Sequence, residues 1–187
     1  YELAMGLSVL TVFLATATPD QDNALSLVSM VDAQKGVWNL FYHPVAALVF
    51  LICIFAEANR HPFDMPESET DLVGGFHTEY GSFKFGLFFV AEYSHMIIGS
   101  SLFIVMFLGG WHFAPGVPTV GDGLLASLFG VAWFFFKLCA FLFFFVWVRW
   151  TVPRFRYDQV MRIGWRVLLP VAVLNLIAYF IWYAVKG

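Results

Sequence analysis

The sequence is short of charge and shorter of cysteine. Only 12% of the 187 residues are Asp, Glu, Lys or Arg, about half the share of a soluble domain, which is roughly 25%. With 60% hydrophobic residues, the chain cannot hide its side chains in one water-soluble core, so lipid must solvate much of its surface. A buried water-soluble bundle is the alternative this composition argues against. The net charge of −3 argues against nucleic acid as a partner. Cys53 and Cys139 stand alone in apolar runs, form no C-x-x-C and read as buried thiols. They cannot hold an iron–sulfur cluster, which takes about four thiolates. There is no G-x-G-x-x-G after a strand, no Walker A loop, no histidine pair spaced for haem and no internal repeat. The chain itself is therefore expected to bind no redox cofactor and no metal. Tyr1 opens it without Met or a basic leader, which reads as a piece of a longer protein rather than a signal peptide.

What is abundant is apolar sequence, with 23 phenylalanines. A hydrocarbon core of about 30 Å takes roughly 20 helical residues, and in lipid a helix satisfies its own backbone. Five segments are expected to cross, at 1–17, 41–57, 83–108, 124–148 and 164–185. The fold class is thus all-α: one polytopic transmembrane bundle over 1–187. Pro44 suits the first turn of the second span, where its missing N–H costs nothing. The loops 58–82 and 149–163, with the residues flanking them, hold seven of the Lys and Arg residues, against two (Lys35, Lys186) on the other side. The positive-inside rule then puts those two loops in the cytoplasm or mitochondrial matrix.

Ionisable residues inside the spans carry the functional question. Glu92 lies about nine residues, or roughly 14 Å, into the third span, with His95 on the same face at i+3. Lys137 lies near the middle of the fourth span, Glu57 at the inner end of the second, and Glu2 in the first. A charge at the bilayer centre costs about 2.5–3.5 kcal/mol, so these groups should face the bundle interior, pair, or line a wet cavity. A proton relay and a structural Glu–Lys pair are both open on the residues alone, and His95 reads as a hydrogen-bonded packing residue. In the loop after Glu57, Pro62 and Pro66 forbid a continuous helix. Asp64 and Glu67 match a capping box, which predicts a short surface helix over Met65–Val73 carrying Glu67, Glu69 and Asp71. Its acids serve either as a solvated helix start or as an acidic docking or proton-collecting surface.

The run Ala56-Glu57-Ala58-Asn59-Arg60-His61-Pro62-Phe63-Asp64-Met65-Pro66-Glu67 resembles the A-E-x-N-R-x-P-F-D-x-P-E signature of the H subunit (mitochondrial subunit 1) of respiratory complex I. The resemblance continues through Gly75-Phe76-His77-Thr78-Glu79-Tyr80, Ala91-Glu92-Tyr93, Phe107-Leu108-Gly109-Gly110-Trp111 and Pro153-Arg154-Phe155-Arg156-Tyr157-Asp158-Gln159. Tyr1-Glu2 is similar to the end of its S-Y-E motif. His61 and Met65 fill positions that vary in the family.

This resemblance implies a fragment covering the last five of eight spans. It implies a wall of the quinone tunnel, with quinone as substrate and with FMN and iron–sulfur clusters on partner subunits. Glu2, Glu57 and Glu92 would belong to a proton path toward antiporter-like membrane subunits. Asp64, Glu67, Glu69 and Asp71 would line the loop beside the quinone cavity, with Arg60 as countercharge. Lys137 would be a charge partner within the bundle. Arg154, Arg156 and Asp158 would help to dock the peripheral arm. The implied location is the bacterial plasma membrane, with the mitochondrial inner membrane as alternative. Competing readings are the homologous membrane chain of an energy-converting hydrogenase or ferredoxin-linked complex, a stand-alone ion transporter, and a structural anchor.

Overall fold

In a computed structural model of the chain, the structure describes residues 1–16, 26–64, 80–113, 115 and 123–186. Among these every regular element is a helix: α1 (Glu2–Thr16), α2 (Leu27–Ala33), α3 (Asn39–Tyr42), α4 (Pro44–Glu57), α5 (Ser82–Phe107), α6 (Leu124–Thr151), α7 (Tyr157–Ile163), a π turn (Gly164–Leu168) and α8 (Leu169–Lys186). The helix expected over Met65–Val73, with Glu67, Glu69 and Asp71, lies outside the described residues.

Three stretches are long and apolar enough to cross a membrane: Ser82–Phe107, Leu124–Thr151 and the run Tyr157–Trp182 through the π turn. The count of five is not met by length. Helix α4 has 14 residues, about 21 Å at 1.5 Å per residue, short of a core of about 30 Å; α1 is described over the 15 residues Glu2–Thr16. For α4 the cause is local. Pro44 occupies its first turn, and the preceding His43 is outside helical geometry at φ −127° and ψ 58°, as residues before proline tend to be. At the other end Asn59 takes φ 46°, and no α-helix continues through a left-handed residue. The helical run that carries the last span also starts earlier than expected, because α7 feeds it without a break.

The short helices form the centre. Along α4, Ala46, Ala47, Val49, Phe50, Cys53, Ile54, Phe55 and Ala56 are buried, packed by α1, α5, α8 and α3. Phe50 meets Phe103 and Phe107 of α5, and Phe55 lies 4.2 Å, centroid to centroid, from Phe145 of α6. The long α6 buries few side chains and leaves Phe, Leu and Trp side chains on its outer face, as a lipid-facing helix does.

One end of α5 is closed by a tightly bonded polar cluster. Gly109 and Gly110 take φ 69° and 54°, and the Gly110 N–H reaches back to the Ile104 carbonyl at 3.0 Å, which satisfies a terminal acceptor. The fully buried Gln34 clamps this turn: its Nε2 donates to the Val105 carbonyl (3.0 Å) and its Oε1 accepts from the Gly109 N–H (3.0 Å). Asn39 Nδ2 donates to the Met106 carbonyl at 3.0 Å.

Candidate functional site

At the C-terminal end of α4, which faces the middle of α5, a helix cap sets the positions of the charges. Helix α4 ends at Glu57, and Asn59 in the left-handed conformation turns the chain. The Arg60 N–H then bonds the Phe55 carbonyl at 3.3 Å, which is the long-range bond of a Schellman cap, with Asn in the place usually held by Gly. The cap folds Arg60 back onto α5. Its Nε lies 2.6 Å from Glu92 Oε1 with the N–H off the line between them, so this is a charge contact rather than a straight hydrogen bond. The guanidinium also lies 5.0 Å from the centroid of the Tyr93 ring, a cation–π distance. Arg60 is 8% exposed.

Glu57 occupies the neighbouring position. Its Oε1 is 3.6 Å from His95 Nδ1, an attraction that requires the imidazolium form. Its Oε2 is buried without a hydrogen-bond partner among the described residues. The Tyr1 side chain comes close enough to interact with this carboxylate. Tyr1 in turn lines a mainly apolar cavity of about 130 Å³, with Ala56, Phe63, Trp165 and Leu168 among its other walls.

A third cluster ties the two inner loops together. Asp64 is buried, with Oδ2 3.4 Å from His61 Nε2 and 3.9 Å from Arg154 Nη2. Arg154 Nε donates to His61 Nε2 at 3.3 Å. One ring nitrogen cannot accept from Arg154 and donate to Asp64 together. In its neutral Nδ1–H form His61 accepts from Arg154, which is then a countercharge of Asp64. The Phe155 N–H bonds the Pro62 carbonyl at 3.1 Å, and the Phe63 and Phe155 rings lie 5.8 Å apart.

Of the residues singled out in the sequence, the fold brings Glu57, Arg60, Asp64, Glu92 and Arg154 to this one end. Glu2 is exposed in the first turn of α1, beside Tyr1. Arg154 turns inward to Asp64, whereas Arg156 and Asp158 are exposed at the start of α7. Lys137 is elsewhere. Its ammonium donates to the carbonyls of Leu108 (2.7 Å), Gly110 (3.1 Å) and His112 (2.7 Å) and lies 5.2 Å from the Trp38 ring centroid. Its bonding partners are backbone carbonyls, where a carboxylate partner was expected. Buried His112 stands beside it. Burial, then Lys35, push the His112 imidazole below the ordinary value; Asp32 opposes them less strongly, and Lys137 adds the smallest push. Sequence reasoning missed Tyr93, Gln34, Trp38 and the role of His61. The Asn just past a helix end was a usable signal for the cap; Gln34 offered none.

The family model described as NADH dehydrogenase matches residues 1–180. The H subunit of NADH-quinone oxidoreductase from Flavobacterium psychrophilum is 47% identical over 180 residues, covering 94% of this chain and 50% of that protein. The H subunit from Syntrophotalea carbinolica is 43% identical over 187 residues, 100% of this chain and 51% of its own. From Geobacter sulfurreducens, the H subunit designated 2 is 49% identical over 178 residues, 95% of this chain and 48% of its own. The chain spans about half the length of these curated relatives. Its motifs, its long apolar helices and these matches lead to one conclusion: this is an integral membrane protein that belongs to the NADH dehydrogenase family.

Proposed function

We propose that this chain is part of the membrane subunit of a proton-translocating NADH:quinone oxidoreductase, that it walls part of the quinone tunnel, and that Glu57 and Glu92, with Glu2, begin a proton path. The observation that carries this reading is the convergence of two intramembrane glutamates with Arg60 and His95 where the end of α4 meets the middle of α5. The cavity beside them supports it, since Tyr1 both lines that cavity and interacts with Glu57. Arg60 hangs from the loop and not from the bundle. A loop displacement on quinone reduction would therefore change the charge balance at Glu92, in surroundings where Coulomb terms are larger than in water. Asp64, with Glu67, Glu69 and Asp71 further along, would form the loop beside the quinone.

Electron transfer, on this reading, belongs to the flavin and iron–sulfur clusters of partner chains, and this chain's residues hold and move protons. Its two cysteines, one buried in α4 and one exposed on α6, fall short of the roughly four thiolates a cluster takes. Exposed Arg156 and Asp158 would meet the peripheral arm, and the bundle would adjoin antiporter-like membrane subunits. The bacterial relatives support the bacterial plasma membrane as the location.

The test is Glu92→Gln in the assembled complex. Quinone-linked turnover should fall at least tenfold, with NADH oxidation by an artificial acceptor at the flavin unchanged. Full quinone reduction with full pumping would refute the reading.

A further inference from the structure

We propose that the exposed face formed by α7 and the π turn binds the phosphate headgroup of an anionic phospholipid. This inference rests on membrane insertion alone and stands apart from the quinone reading. Two rows of side chains run along this face at four-residue spacing, the spacing that aligns side chains on a helix. One row is Tyr157, Met161 and Trp165, at 64%, 44% and 63% exposed. The other is Arg162 and Arg166, both exposed. Among the described residues neither Arg162 nor Arg166 has an ion pair or a side-chain hydrogen bond. Asp158, one turn before Arg162, makes no salt bridge with it. Two guanidiniums are thus left facing outward beside two amphipathic rings.

Depth selects the occupant. Arg166 and Lys186 are separated by 20 residues of continuous helix, about 30 Å at 1.5 Å per residue, the thickness of a hydrocarbon core. With Lys186 at one boundary, Trp165 and Arg166 lie at the other, where Trp and Tyr rings settle at headgroup level. The guanidinium fork matches phosphate oxygens in bidentate fashion. A zwitterionic lipid would bring its own cation against this pair of arginines, whereas an anionic lipid brings none. The aromatic row would lie along the glycerol and upper acyl region of the same lipid.

The assembled complex, stripped of endogenous lipid, would be titrated with phosphatidylglycerol or phosphatidylcholine in mixed micelles, and the bound lipid quantified. The wild type should prefer phosphatidylglycerol. Each arginine removed should weaken that binding roughly 5-fold, and R162Q/R166Q about 30-fold, the equivalent of about 1 kcal/mol per cationic side chain. R162K/R166K, which keeps the charge, should retain the preference. If the double variant does not assemble, R162Q alone decides by its 5-fold loss. Unchanged phosphatidylglycerol affinity in the glutamine variants overturns the proposal, as does equal affinity for the two lipids. Displacement by millimolar inorganic phosphate would identify a free-anion site, and loss of a protein chain with lipid affinity intact would identify a protein interface; either overturns it too.

Discussion

At the C-terminal end of α5 Lys137 donates to three backbone carbonyls, and at the C-terminal end of α4 Arg60 lies against the carboxylate of Glu92. Both ends hold a cation in apolar surroundings, but the partners differ in kind. A peptide carbonyl is a fixed acceptor that never takes a proton at ordinary pH. A carboxylate can, and so can the imidazoles of His61 and His95, which face Asp64 and Glu57. The carbonyl-bound end is therefore a lock that fixes α2, α3, α5 and α6 together. The carboxylate end holds groups whose charge can change, and of its basic members Arg60, His61 and Arg154 sit on loops while His95 sits on α5.

Four experiments separate the two ends, in order of falling effect. Lys137→Met leaves three carbonyls without their donor and should cost about 3 kcal/mol or more, read as the unfolding midpoint in detergent. A variant within about 0.5 kcal/mol of wild type would mean that this end is no lock. Gly110→Ala forces a side chain into φ 54° and places its Cβ 3.0 Å from Val31 Cγ2. A loss of about 2 kcal/mol is expected, with quinone-linked turnover per folded complex unchanged. At the other end, a double-mutant cycle of Arg60→Met and Glu92→Gln should return a coupling of about 1–2 kcal/mol. The double variant should be more stable than Glu92→Gln alone, because no buried guanidinium is left without its counterion.

The smallest effect is in pH. Burial lowers the His112 imidazole from the ordinary 6.5, so the unfolded chain takes this proton first. The contribution is complete above about pH 6.5 and declines as pH falls through the window between the ordinary value and the lowered one. His112→Gln should flatten that decline between pH 7 and 5, as followed by unfolding midpoints. Parallel curves for variant and wild type would remove His112 from the lock.

Helix existence was legible in the sequence because hydropathy and length report on lipid exposure, which is what α5, α6 and α8 experience. Helix length at the centre was not. Only Pro44 and Asn59, which stop α4, revealed that an apolar run had been cut short. The motif around Glu57 pointed to the right end of the molecule, yet the Arg60–Glu92 contact joins residues 32 apart in sequence through a cap whose geometry no periodicity reports. Lys137 looked like half of an ion pair since sequence counts charges, while the acceptors it uses are carbonyls that every residue carries. For Arg154 the resemblance implied docking to the peripheral arm, and nothing local shows that its loop also folds against Pro62.

The π turn at Gly164–Leu168 has a consequence for how such a chain can vary. A π turn is an α-helix holding one residue too many. Removing a single residue there restores ordinary winding and leaves both flanks in their former relation. Insertions and deletions that would rotate every later side chain elsewhere in α8 are absorbed at this point. The phase of the interfacial rows relative to the span, with Ala172 buried against the centre, would therefore survive a one-residue deletion at this turn.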